Sequence, residues 1–149
     1  MRVWAESARA GFADLLPPDH SFPEADRDRF GSVLADPEVT VLMAERRGEV
    51  VGYVGCGSSR DADASPRTGE VRTFFVAPSS WRRGVGRELM AAALADLRAR
   101  GYEDATVWTF AANDRANAFY ADQGFAPDGA ERTEEAWGHI REVRYRRRL

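Results

Sequence analysis

The chain has 149 residues, 44% of them hydrophobic, and a formal charge of −3, which suits one packed domain and argues against broad nucleic-acid binding. All 21 basic residues are arginine, so a lysine-bearing phosphate loop and Schiff-base chemistry are excluded. A single cysteine, Cys56, rules out an internal disulfide, two distant histidines, His20 and His139, argue against a metal, and the lack of an apolar membrane span or signal-peptide pattern points to the cytoplasm.

Along the chain, residues 3–16 are predicted helical, with Trp4, Ala8, Phe12 and Leu15 or Leu16 on one stripe, and Pro17-Pro18 as the stop. A second helix is expected over about 24–35, carrying Phe30, Val33 and Leu34. VTVLMAE (39–45) and VVGYVGCGS (50–58) form a predicted hairpin about the turn Arg46–Glu49, and the polar stretch 58–69 is a loop. EVRTFFVA (70–77) is the next strand, ended by Pro78. A helix from about Gly84 to Arg100 places Val85, Leu89, Ala93 and Leu97 on one face, with Gly101 as its stop. DATVWTF (104–110) reads as a buried strand, Asn113 caps a helix over 114–123, and FAPDGAER and HIREVRYRRRL supply the last strands. This order describes a single α/β domain over 1–149, a sheet covered by helices.

The stretch VAPSSWRRGVGRELM (76–90) puts two glycines and three arginines between a strand and a run of good helix formers. Glycine costs a helix about 1 kcal/mol relative to alanine, so a pair at its opening needs a reason. A strand entering a glycine turn and then a helix aims free N–H groups and the positive end of the helix dipole at one spot, where phosphate is the natural occupant. The dinucleotide fingerprint fails because Gly84-Val85-Gly86 has no third glycine. A tight turn before an amphipathic helix would account for the glycines alone.

The segment Trp81, Arg82, Arg83, Gly84, Val85, Gly86 resembles the acetyl-CoA pyrophosphate loop of the GCN5-related N-acetyltransferases (GNAT), Q/R-x-x-G-x-G/A, with Trp81 departing from the usual first residue. GEVRTFFVAP resembles that family's fourth strand, and NDRANAFYADQGF (113–125) resembles its N-x-x-A-x-x-F-Y-x-x-x-G-F segment. The resemblance covers about residues 3–149 and implies a mixed, largely antiparallel sheet flanked by helices. The family opens with a strand before its first helix; this chain begins inside what resembles that helix, so either the first strand is absent or the start is late.

The resemblance implies acetyl-CoA as co-substrate, without a metal. A bulge in the fourth strand would turn backbone groups of Phe74, Phe75 and Val76 toward the pantetheine and acetyl carbonyl, one N–H stabilising the oxyanion. Arg82, Arg83 and Arg87 can meet the phosphates of coenzyme A, which carries on the order of four negative charges. Asn113 and Tyr120 lie seven apart on one helix face, with Ala116 leaving room for a ligand. Tyr120 is the candidate general acid: a phenol of pKa about 10 can protonate a thiolate whose conjugate acid lies at about 8.5, an uphill step of about 2 kcal/mol. Glu70 is the candidate base through water, or a solvated strand-end charge; where some relatives carry a glutamate on the fifth strand, this chain has Trp108. Arg72 faces either the acceptor cleft or solvent.

These residues point to an N-acetyltransferase that moves an acetyl group to a primary amine by direct attack on the thioester. The alternative is a coenzyme A-binding sensor or interaction module without catalysis. The acceptor is open between a small-molecule amine, a peptide α-amine and a protein lysine. Asp61, Asp63, Glu131, Glu134 and Glu135 either attract a cationic amine or are solvated loop charges. No nucleic acid or membrane partner is expected, and a homodimer is left open.

Overall fold

The computed structural model describes residues 2–16, 31–33, 35–135 and 138–149. In chain order the elements are α1 (Arg2–Phe12), β1 (Val39–Arg46), β2 (Glu49–Ser58), β3 (Thr68–Val76), α2 (Val85–Ala99), β4 (Asp104–Phe110), α3 (Asp114–Asp122), β5 (Ala126–Glu134) and β6 (Ile140–Arg148). Helix α1 stops short of the expected 16 because Leu15 N–H bonds back only three residues, to Phe12 O at 2.9 Å, tightening the last turn. Residues 31–33 and 35 are helical; the rest of the helix expected over 24–35, with Phe30 and Leu34, and the Pro17-Pro18 stop lie outside the described residues.

The six strands form one sheet in the order β1-β2-β3-β4-β6-β5. Every neighbouring pair is antiparallel except β3 and β4. That pair is parallel because α2 crosses over between them, whereas β1 and β2 join in a tight hairpin whose turn residues Arg47 and Gly48 both take positive φ, 52° and 78°. Among the described residues no strand precedes α1, and β1 is the edge of the sheet.

One face of the sheet is closed by α2. Its Val85, Leu89, Met90, Ala93, Leu94 and Leu97 pack against Val54 and Cys56 of β2, Val71 of β3 and Ala105 and Val107 of β4. Glu88 in its first turn and Arg98 in its last complement the helix dipole, and Gly101 at φ 88° ends it. The buried stripe falls where the sequence periodicity places it.

The arrangement that positions the site is a parting of strands. β3 and β4 pair over only four rungs, from Thr68↔Asp104 to Val71↔Val107. Beyond Val71, β3 continues on β2 as far as Val76, while β4 continues on β6 as far as Phe110. A wedge opens between them. At its apex Gly55 pairs with Thr73 and Cys56 with Val71, so Arg72 is the extra residue of a bulge. Strand alternation then turns Phe75 toward α1, edge-on to Trp4 and Phe12, and Phe74 toward α3, stacked on Phe119 at 5.3 Å.

Candidate active site

The turn before α2 leaves backbone donors without helical acceptors. Gly84 caps the helix in the left-handed conformation, φ 85°, and Arg82 also takes a positive φ, 58°. Only glycine adopts the first without strain, and the second stores some strain in the loop. The first helical bond runs from Glu88 N–H to Gly84 O at 3.0 Å, so the N–H groups of Val85, Gly86 and Arg87 have no helical acceptor. Among the described residues no side chain caps them. They converge with the dipole at the concave side of the turn. Trp81 ties this loop to the strand behind it: its Nε1–H donates to Val76 O at 2.6 Å, and the Arg115 guanidinium of α3 lies 3.8 Å over its ring.

A cleft of about 1120 Å³ runs from this turn through the wedge between β3 and β4. Every site residue named from the sequence lines it except Arg83 and Val85. Arg83 is exposed, its carbonyl accepting from Arg46 at 3.4 Å, and Val85 is a core side chain at 3% exposure, so it offers the cleft only its backbone. The strand does carry a bulge, at Arg72. What frees the backbone of Phe74–Val76 is the loss of β4 as a neighbour. Ala77 N–H donates to Val51 O of β2 at 2.8 Å, so by alternation Phe75 also faces β2, while the N–H groups of Phe74 and Val76 face the wedge.

Tyr120 sits at the inner wall, 7% exposed, within 5.6 to 6.5 Å (centroid to centroid) of Phe74, Phe119, Phe125 and Tyr145. Burial raises its phenol above the usual value. Asn113 caps α3, its side-chain oxygen accepting from Ala116 N–H at 3.2 Å, which fixes the helix that carries Tyr120.

Glu70 is not a solvated strand-end charge. It is 2% exposed, and its carboxylate is gripped by Arg60 through Nε at 3.2 Å, a terminal nitrogen at 2.8 Å and the Arg60 backbone N–H at 3.0 Å. Sequence reading missed Arg60 because nothing in a polar loop marks which residue folds back. Arg72 faces the cleft with its side chain 5% exposed, held by Asp36 at 2.5 Å and Ser58 O at 2.8 Å. The backbone N–H of Glu38 and the Arg72 guanidinium together hold the Asp36 carboxyl below its ordinary value. Glu142, 6% exposed on β6, also lines the cleft and accepts from Arg132 at 2.6 Å; Arg132 in turn lies 4.2 Å over the Trp108 ring. Of the acidic residues expected to attract a cation, Asp61 and Asp63 are bound by buried Arg144 at 2.9 and 2.7 Å, Glu131 by Arg141 and Glu134 by Arg132. They are structural partners, and only Glu135 among the five is simply exposed.

Cys56 lies on the α2 face at 0% exposure, its sulfur 3.8 Å from Ala93 O and from an Asp96 oxygen. Burial, then the Asp96 charge, push the thiol from 9.0 to about 12. A thiol held neutral in this way is no nucleophile. The folded value is raised, so its stabilisation is complete below the unfolded value and is lost as pH rises toward the folded one; Tyr120 acts with the same sign from about pH 10. We expect the melting temperature to fall from about pH 9 upward and a thiol reagent to label Cys56 only on unfolding. A flat melting temperature to about pH 11, or rapid native labelling, would contradict this placement.

Residues 5–125 match the family described as "Acetyltransferase (GNAT) family". The chain is 32% identical over 124 residues to an uncharacterized N-acetyltransferase of Archaeoglobus fulgidus, covering 83% of this chain and 82% of that protein. It is 29% identical over 120 residues to an aminoalkylphosphonate N-acetyltransferase of Salmonella typhimurium, covering 80% and 77%. In fold it resembles the PaiA N-acetyltransferase of Thermoplasma acidophilum, solved in complex with coenzyme A, with a TM-score of 0.73, 12% identity and coverage of 99% and 89%.

Proposed function

Because the chain belongs to the GNAT acetyltransferase family, we propose that it transfers the acetyl group of acetyl-CoA directly to a primary amine, with Tyr120 as general acid. The observation that carries the reading is the wedge: strand residues beyond the β3–β4 pairing, the glycine turn before α2 and Tyr120 all line one cleft. The complex of the Thermoplasma neighbour with coenzyme A supports the choice of donor.

In this reading the N–H groups of Val85, Gly86 and Arg87, with the Arg82 and Arg87 side chains, hold the pyrophosphate. Arg83, turned away, serves at most the outer phosphate. Bound acetyl-CoA supplies an acetyl carbonyl for the amine to attack and a thiolate that leaves. The N–H of Phe74 or Val76 stabilises the charge developing on that carbonyl oxygen. Tyr120 Oη holds the proton that the departing sulfur takes. Glu70 receives the proton of the incoming ammonium through a water, its carboxylate kept in place by Arg60. Cys56, buried on the α2 face, forms no acetyl-enzyme.

A second reading, a coenzyme A-binding module without turnover, draws on one observation: three donors already hold the Glu70 carboxylate. Both readings require donor binding, which is the first test. Coenzyme A at a hundred times its dissociation constant should stabilise the protein by about 2.7 kcal/mol, seen as a rise in melting temperature. An unchanged melting temperature at saturating coenzyme A would remove the donor site and both readings.

A further inference from the structure

Two features of the cleft lining on the α1 face of the sheet bear on which acceptor could enter there. The first is aromatic. Phe12 of α1 sits over the mouth of the wedge, its ring centroid 4.9 Å from Phe110 of β4 and 6.3 Å from Phe75 of β3. Trp4 meets Phe75 at 6.5 Å, and all four rings line the cleft, Trp4, Phe12 and Phe75 only half-buried. Trp108 also lines the cleft, one ring face covered by Arg132. A ligand entering here meets ring edges and faces on both sides of the gap, where an aromatic body packs well.

The second feature is charge. Among the described residues, the buried carboxylates that line the cleft are Glu70 and Glu142, and both are already bound by guanidinium groups that also line it, those of Arg60 and Arg132. Asp114 and Asp122 line it exposed. Arg72, bound to Asp36, adds a third. An ammonium can lose its proton on reaction, but a second cation on the acceptor would have to displace an arginine from a buried carboxylate or sit beside like charge.

Resting on the proposed transfer of acetyl groups to amines, we infer that the acceptor is a primary amine with one cationic centre on an aromatic body, not a polycation. Phe12, Phe75 and Trp108 form its wall, and Arg60, Arg72 and Arg132 exclude further positive charge.

The test compares 2-phenylethylamine, ethylamine and spermidine as acceptors for the full chain with saturating acetyl-CoA. Burying a phenyl group should raise kcat/KM for 2-phenylethylamine by about 10- to 100-fold over ethylamine. Spermidine should fall below 2-phenylethylamine, and raising salt should narrow that gap by screening the arginines. Phe12→Leu, which keeps an apolar contact should Phe12→Ala fail to fold, should lower the 2-phenylethylamine rate several-fold and so narrow its advantage over ethylamine. Equal rates for 2-phenylethylamine and ethylamine, or a preference for spermidine, would overturn the inference and leave the proposed reaction standing. If coenzyme A raises the melting temperature but none of the three amines is acetylated, the proposed reaction itself fails, and this inference with it.

Discussion

Replacing Tyr120 by phenylalanine is expected to lower turnover by about 10²- to 10⁴-fold while acetyl-CoA affinity changes little, the range typical of general acid catalysis. The substitution removes only the hydroxyl, and the ring keeps its four aromatic neighbours, so packing is preserved. Burial raises the phenol, which keeps it protonated at any working pH but makes proton transfer to the thiolate more uphill than for a free tyrosine. The loss should therefore shrink for donors whose thiol is more acidic, since a better leaving group needs less help. Tyr120 ionisation should also give no fall in rate near pH 10, because the folded value lies higher. Equal rates for the two proteins, with chemistry limiting, would assign the residue to packing. A large loss of affinity at unchanged turnover would make it a donor contact instead.

Gly86→Asp is expected to abolish stabilisation by coenzyme A without unfolding the protein. A Cβ at this position meets Phe119 at 3.4 Å and Phe74 at 3.5 Å, which is tight but tolerable, and φ here is not positive. An acidic residue in the first turn also suits the dipole of α2, so the helix itself does not oppose the change. What it opposes is the ligand: a carboxylate then occupies the ground of the pyrophosphate and competes for the same N–H groups. The rise of about 2.7 kcal/mol expected at a hundred times the dissociation constant should vanish. Gly86→Ala, which adds the Cβ without charge, should keep most of it. Retained stabilisation in the Asp variant would mean that the donor binds elsewhere.

The glycine turn before α2, the stripe of α2 and the bounds of β4 were legible because each is written in local spacing: glycines after a strand, apolar residues every three or four, a buried run between two turns. The wedge was not. Where β3 leaves β4 depends on which strand each keeps as its other partner, and that is set by register across the sheet. For the same reason the bulge expected in this strand could not be placed at a residue, and it lies at Arg72. The charged groups were the least legible. Asp63 and Arg144 are 81 residues apart, so no window of sequence shows that the acid is a structural partner. Arg60 and Glu70 are only ten apart, yet the loop between them has no periodicity from which to infer that one folds back on the other. Trp81 was legible as a departure from the family pattern, and the structure gives it a use, as the side chain that fastens the turn to Val76.

The most direct test of direct acetyl transfer is a single-turnover reaction of the protein with isotopically labelled acetyl-CoA and a mixture of 2-phenylethylamine, spermidine and a short peptide with a free α-amine, followed by mass spectrometry of small molecules and intact protein. One labelled acetyl-amine should form for each coenzyme A released, with the protein mass unchanged. A labelled acetyl group on the protein, or tight donor binding with no acetylated amine, would contradict direct transfer.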